Sequence, residues 1–348
     1  MSNPCIPAQR LVEACAAILQ HEGVPRQDAH FVATSLVEAD LRGIHSHGVL
    51  RLPRYVRELR EGTTNPRPRL AVVEEGPAYA RVEGDGSLGP LAGRLAMRTC
   101  LAKAALAGSA VATACGSRHF GAAGFYALMA LERDFIGMAM TVASPRLAPT
   151  GGTQPLFGNN PISLAVPGDQ GFPLLADFAV GRTGAGRLEL AAANGEPIPE
   201  GLARDLQGNP TTDPRVALKG SIVPIGEHKG YCLALVIEVL AGLLAGAPFF
   251  GVPREEVAAH TRRRGIGHFF LAIDPSRFMP IGVFKAAVAD MARRIKESPR
   301  APGAAEILVP GELEARLAAE RRRTGIPLAA STVESIGALA RQCGAQDP

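Results

Sequence analysis

The hydrophobic pattern of this chain changes once, sharply, at the turn-rich run Thr63-Thr64-Asn65-Pro66-Arg67-Pro68. Before it, apolar residues recur at helical spacing over Ala8–His21, Gln27–Leu41 and Leu52–Glu61, separated by Gly23-Val24-Pro25 and by a loop at His45-Ser46-His47. After it come short β-like runs at Leu70–Val73 and Ala78–Val82. Such a switch of period at a proline-rich turn predicts a small helical lobe joined to a sheet-containing body.

The body continues with a helix at about Leu91–Leu106, a strand at Ala110–Ala114, a helix at Gly121–Leu131 and a strand at Ile136–Val142. Further β-like runs follow at Ile162–Val166 and Leu174–Phe178, then a long apolar helix near Tyr231–Leu244 and a strand at Phe269–Ile273. The last part is helical again, at Val283–Ile295, Glu312–Arg323 and Thr332–Arg341. The expected organisation is α/β in three parts: an N-terminal helical lobe (1–68), an α/β body (69–280) and C-terminal helices (281–348) packing back on the first lobe.

Composition narrows the class of partner. Lys and Arg (37) exceed Asp and Glu (33) by only four scattered charges, which leaves no footprint for nucleic acid or a membrane surface. The six cysteines are dispersed, without a C-x-x-C pair, and read as reduced thiols. The N-terminal residues lack a basic run followed by an apolar core, so a cytoplasmic location is expected. The most apolar segment, Tyr231–Phe250, carries Glu238 and is broken at Ala247-Pro248, which suits a protein core better than a bilayer.

Gly84-Asp85-Gly86-Ser87-Leu88-Gly89 satisfies G-x-G-x-x-G between a β-like run and a helix. The dinucleotide pattern also requires an acid about twenty residues further on, where this chain has Ala104-Ala105-Leu106-Ala107-Gly108-Ser109. The run is therefore read as a strand-turn-helix connection without a Rossmann-type phosphate role, Pro90 suiting the first helical turn.

The densest chemistry lies in Leu41-Arg42-Gly43-Ile44-His45-Ser46-His47-Gly48-Val49-Leu50-Arg51, which joins two imidazoles, a hydroxyl and two guanidiniums. Imidazole titrates near neutrality and the guanidinium fork matches a carboxylate, so the stretch reads as a small-acid site. His119, in Ser117-Arg118-His119-Phe120-Gly121, would follow a strand end and precede a helix start, a position that favours a neutral imidazole. Lys229, in Gly226-Glu227-His228-Lys229-Gly230-Tyr231, places a cation near a helix start. His45 and His47 have the i, i+2 spacing of a strand-borne metal pair but lack an adjoining third ligand, and no metal is expected. His21, His30, His260 and His268 are read as surface or hydrogen-bonded structural residues.

Taken in order, these islands resemble the type-2 malate/L-lactate dehydrogenase family. They are Ser46-His47-Gly48 with Arg51 and Leu52-Pro53-Arg54-Tyr55, His119-Phe120-Gly121-Ala122-Ala123-Gly124, Gly158 with Asn160-Pro161, Pro199 to Asp205, Thr212-Asp213-Pro214, His228-Lys229-Gly230-Tyr231 and Pro310-Gly311-Glu312. That family also includes ureidoglycolate, sulfolactate and 2,3-diketogulonate dehydrogenases and reductases of piperideine- and pyrroline-2-carboxylate. The resemblance implies a non-Rossmann nicotinamide-binding domain with a mixed β-sheet, and NADH or NADPH as cofactor. It implies substrate binding and polarisation by Ser46, His47 and Arg51, and acid/base candidacy for His119 beside His47. It implies cofactor contacts at Ser144, at Asp177, Phe178 and Ala179, at His228 and Lys229, and at Gly311 and Glu312. A homodimer with its site at the subunit boundary is also implied.

The chain departs from the family pattern in four places. Asp177-Phe178-Ala179-Val180-Gly181 stands where Asp-Met-Ala-Thr-Ser is common, losing two hydroxyls; Asn159 stands where Thr is common. Arg118 replaces a small polar residue, adding a cation that would favour a second carboxylate or a phosphate on the ligand. The expected activity is hydride transfer to or from C2 of a small 2-oxo acid, 2-hydroxy acid or cyclic 2-imino acid. Two rival readings are a non-catalytic binding protein on the same scaffold and a metal-dependent hydrolase using His45 and His47.

Overall fold

The computed structural model describes residues 4–250 and 265–347. His260 lies outside the described residues. The first lobe holds helices α1 (Ala8–His21), α2 (Arg26–Leu41) and α3 (Leu52–Arg60). Prolines precede or enter the first turn of all three, where a missing N–H costs nothing. Leu11, Ile18, Leu36, Leu52 and Tyr55 from these helices form one core with Ala318, Ile336 and Ala340 from the other end of the chain. The contributing elements there are α10 (Glu312–Thr324) and α11 (Ala330–Gln342).

The body is built on one seven-stranded mixed sheet. In chain order its strands are β1 (Ala71–Glu75), β2 (Tyr79–Glu83), β3 (Ser109–Ser117), β4 (Ile136–Thr141), β5 (Pro161–Val166), β6 (Leu174–Ala179) and β7 (Ile266–Ile273). Their spatial order is β1-β2-β3-β7-β4-β5-β6, with β2 and β3 parallel and every other pair antiparallel. β7 thus enters the middle of the sheet, pairing Phe270 with Ala112 on one side and Ala139 on the other.

Because successive side chains on a strand point to opposite faces, Phe270 and Phe269 serve different cores. Phe270 packs with Met97 of α4 (Gly89–Ala107) and Tyr126 of α5 (Ala123–Met129). Phe269 packs with Phe157, Ala234 and Ile237 beneath α8 (His228–Ile237), after which the helix widens into a π turn over Glu238–Leu243. Between β6 and α8 lie α6 (Ala185–Asn194), α7 (Pro214–Lys219) and a small sheet of 203–204, 210–211 and 221–222. Among the described residues no helix is long and apolar enough to cross a membrane.

Two expectations change. Helix α9 (Ile281–Glu297), grouped in sequence with the C-terminal helices, sits against the body: Lys285 pairs with Asp134 and Asp169, and Val288 lies against Gly168. The glycine-rich run at 84–89 is spent on β3 and on the segment following it. Gly84 and Gly86 donate their N–H groups to the carbonyls of Cys115 (2.8 Å) and Gly116 (2.6 Å), and a Cβ at Gly89 would lie 2.3 Å from the His119 carbonyl. The turn supports His119 where a phosphate-binding loop would need free N–H groups.

Candidate active site

A buried carboxylate organises the first half of the site. Asp40, at the end of α2 and 1% exposed, accepts the Val49 N–H at 2.7 Å and the His45 Nδ1 proton at 2.6 Å. These bonds hold the chain in two successive 3₁₀ turns, His45–His47 and Val49–Arg51, instead of the extended run expected of the His45/His47 pair. His45 Nε2 accepts from Arg321 at 3.2 Å, so both ring nitrogens face protein partners. Gly48 is needed because a Cβ there would lie 2.2 Å from the Asp40 carboxylate. Gly48→Ala is expected to cost about 2 kcal/mol of stability and to displace the turn. A wild-type urea midpoint in that variant would refute the tight contact.

The second half comes from β3 and the segment that follows it. The imidazoles of His47 and His119 stack, with centroids 5.5 Å apart and planes 17° from parallel. Ser46 Oγ lies 3.0 Å from His47 Nδ1, and the hydroxyl of the fully buried Tyr55 lies 2.8 Å from His119 Nδ1. Each ring therefore has one nitrogen engaged by a hydroxyl, which orients it and leaves Nε2 as the edge available for proton exchange. Arg51 donates through Nε to the Ser46 carbonyl at 2.6 Å. The four residues expected to touch substrate thus converge, although His119 is more than sixty positions from the others.

Burial, with the nearby Arg51 cation, pushes His47 down to about 4, and burial with the charges of His47, Arg51 and Arg54 holds His119 well below its ordinary value. Both rings are neutral at pH 7. An arriving carboxylate would cancel part of the Arg51 charge, raising both imidazoles toward a useful acid/base range.

His268 is a core residue, as expected. It is fully buried in β7, bonded to Ser117 Oγ and Thr141 Oγ1 at 2.7 Å each, and stacked 4.5 Å from Phe120, the neighbour of His119. Burial pushes it down to about 3. A histidine whose folded pKa is depressed leaves the unfolded chain binding more protons, so stability is lost as pH falls from about 6.5 toward 3. His47 acts with the same sign down to about 4, whereas Asp177, pushed up to about 6 by burial, offsets part of the loss between about 4 and 6. Melting temperature is expected to fall across this window, and less steeply in His268→Gln. Equal slopes would show that the ring is solvated.

The segments expected at the cofactor meet around Asn160, which is completely buried. Its Oδ1 accepts the Ala143 N–H at 2.8 Å next to Ser144; its carbonyl accepts the Val180 N–H at 3.2 Å; its Nδ2 donates to Glu238 at 2.9 Å on the π turn of the α8 helix. Val180 in turn accepts the Ile225 N–H at 2.8 Å, three residues before His228. Ser144, Phe178, His228 and Lys229 are exposed, with Phe178 43% accessible, and His228 and Lys229 occupy the positive end of α8. Asp177 accepts the Gly124 N–H at 3.1 Å, linking β6 to the start of α5. This exposed apolar, hydroxyl and cationic set, with a helix N-terminus, fits a nucleotide chemically.

Gly311 and Glu312 are differently placed. Gly311 has φ +91° and packs on Pro173 and Leu175 at the start of β6, while Glu312 pairs with Lys296 and Arg316 and accepts the Val309 N–H at 3.2 Å. Arg118 donates its Nε and Nη2 to the Thr63 carbonyl on the boundary turn, so the extra cation is held by backbone. Asn159 and Gly181 compensate each other: Asn159 Oδ1 accepts the Gly181 N–H at 2.7 Å, and a Cβ at Gly181 would crowd that oxygen at the same distance. Asp40, Tyr55 and Asn160 carried no assigned role in sequence; their signal was a polar group inside an otherwise apolar stretch. Among the described residues one metal-capable group occurs, His21, Glu22 and Cys343, away from His45 and His47, and Glu22 is already paired with Arg60.

The family model for malate/L-lactate dehydrogenase matches residues 6–337. The chain belongs to that family. Malate dehydrogenase of Pyrococcus horikoshii is 37% identical over 351 residues, spanning 98% of this chain and 96% of its own. Its solved structure superposes with a TM-score of 0.89 over 99% of this chain and 97% of that one. L-sulfolactate dehydrogenase of Methanocaldococcus jannaschii is 39% identical over 305 residues, 88% of each chain. The structure of delta1-piperideine-2-carboxylate reductase from Pseudomonas syringae matches at 27% identity and TM-score 0.86, covering 97% of this chain and 100% of that one. Membership makes this chain an oxidoreductase of the malate/L-lactate dehydrogenase type, so the non-catalytic alternative falls.

Proposed function

We propose that this enzyme interconverts a small 2-oxo acid and its 2-hydroxy acid, with NADH or NADPH as redox partner. The observation that carries the reading is the stacked His47/His119 pair beside the anchored Arg51. Arg51 holds the substrate carboxylate by paired hydrogen bonds, which fixes C2 relative to the imidazoles. Ser46 orients His47, Tyr55 orients His119, and an imidazole Nε2 exchanges the proton at the substrate oxygen. A bound nicotinamide supplies the hydride exchanged at C2. Because both rings are neutral when free, the resting site is poised to accept a proton from a hydroxy acid, and carboxylate binding at Arg51 prepares the reverse direction.

Cofactor contacts are proposed at Ser144, Asp177, Phe178, Ala179, His228 and Lys229, supported by their gathering around Asn160. Gly311 and Glu312 complete the proposed set, with Glu312 already neutralised by Lys296 and Arg316. A homodimer is also proposed. It is supported by the exposed stripe Leu235, Val236, Val239 and Leu243 along the helix that starts at His228, which a second copy would cover. Reduction of a cyclic 2-imino acid is the second reading, favoured by the structural likeness to the piperideine carboxylate reductase.

Fluorescence titration with NADH and NADPH, followed by absorbance assays on oxo acids and on piperideine-2-carboxylate, tests all of this. Absence of binding and turnover with both cofactors would sink it.

A further inference from the structure

We propose that Arg54 reads a second anionic group on the substrate, so that the site selects a small acid bearing two negative charges over a monocarboxylate of the same chain length. The inference rests on the oxo-acid reading above. Arg51 caps α3 and Arg54 follows three residues on, so the two guanidiniums start from neighbouring positions on one side of the helix. Both are anchored through Nε, Arg51 on the Ser46 carbonyl at 2.6 Å and Arg54 on Glu58 Oε1 at 2.7 Å. Among the described residues no acceptor takes up the Nη groups of either. Glu58 keeps its Oε2 buried and without a partner, so the Arg54 fork is not spent on it. Tyr55, next to Arg54, places its hydroxyl on His119; this single turn of α3 therefore carries both the imidazole's anchor and the free cationic edges.

The electrostatics agree with the geometry. Arg54 lies close enough that its charge adds to that of Arg51 in holding His119 below its ordinary range, and the two guanidiniums depress one another. One planar fork satisfies one carboxylate with two parallel N–H donors. A second fork, one turn further, supplies the same match for a terminal carboxylate or sulfonate, whose desolvation is offset only where a fixed cation meets it. Arg118, the other cation near His119, is committed to the Thr63 carbonyl and does not compete for this role.

The test uses the full-length enzyme with oxaloacetate and 2-oxobutanoate, which share a four-carbon chain and differ by the terminal carboxylate. Wild type is expected to favour oxaloacetate in kcat/KM. In R54Q the ratio of the two values should fall about 10- to 100-fold, the worth of a charge-assisted pair, chiefly through KM for oxaloacetate. R54K should recover part of the preference, and R54Q/E58Q should match R54Q, which separates loss of recognition from an orphaned Glu58 carboxylate. A ratio unchanged in R54Q and in the double variant would overturn the assignment. So would a wild type that reduces both acids but prefers 2-oxobutanoate. Failure of wild type to reduce either acid with either cofactor strikes at the oxo-acid reading itself, whatever Arg54 does.

Discussion

Replacing His119 by alanine is expected to lower turnover by about two to four orders of magnitude, the range supplied by a positioned general acid or base. His119 is fixed from three sides: Tyr55 on Nδ1, the His47 ring face, and the Phe120 side chain stacked on the buried His268. The group lost is therefore held in place, and bulk water does not reproduce it. His47→Ala should fall in the same range, because the two rings share one electrostatic environment and each depresses the other's protonation only while both are present. Stopped-flow measurement of the hydride step separates chemistry from release. Near-normal rates in both variants would remove the imidazole pair from the mechanism.

Arg51→Lys is expected to raise KM for the acid and to lower kcat/KM by at least about tenfold, despite keeping the charge. The guanidinium is tethered by Nε to the Ser46 carbonyl at 2.6 Å, leaving two parallel N–H donors to face a carboxylate. An ammonium has no such division of labour: it either caps the carbonyl or meets the substrate as a point charge. Loss of the tether also frees Ser46, the hydroxyl on His47, so kcat should fall along with affinity. Unchanged KM and kcat would count against carboxylate binding at Arg51.

The helices, the turn at 63–68 and most strand positions were legible because each leaves a local periodic trace, 3.6 for helices and 2 for strands. The Ser46/His47/Arg51 cluster was legible for a similar reason: its members are contiguous. The small sheet and α7 between residues 203 and 222 escaped, although Asp213-Pro214 carries a clear helix start, with the Asp213 carboxylate accepting the Arg215 N–H at 2.8 Å.

Local pattern announced β7 as an apolar strand and the 45–51 run as a place where acid/base and carboxylate chemistry meet. Nothing local says that β7 slots between β3 and β4, because its partners lie more than a hundred residues away and no periodicity encodes register with them. That insertion buries His268 under Phe120 and so sets where His119 stands. In the same way Asp40 looked like one more polar residue near a helix end, and became the organiser of the site only once α2, Arg321 and the 3₁₀ turns were folded around it. Residue chemistry is written one position at a time; the distances that turn it into a site belong to packing, where burial decides which polar groups must find each other.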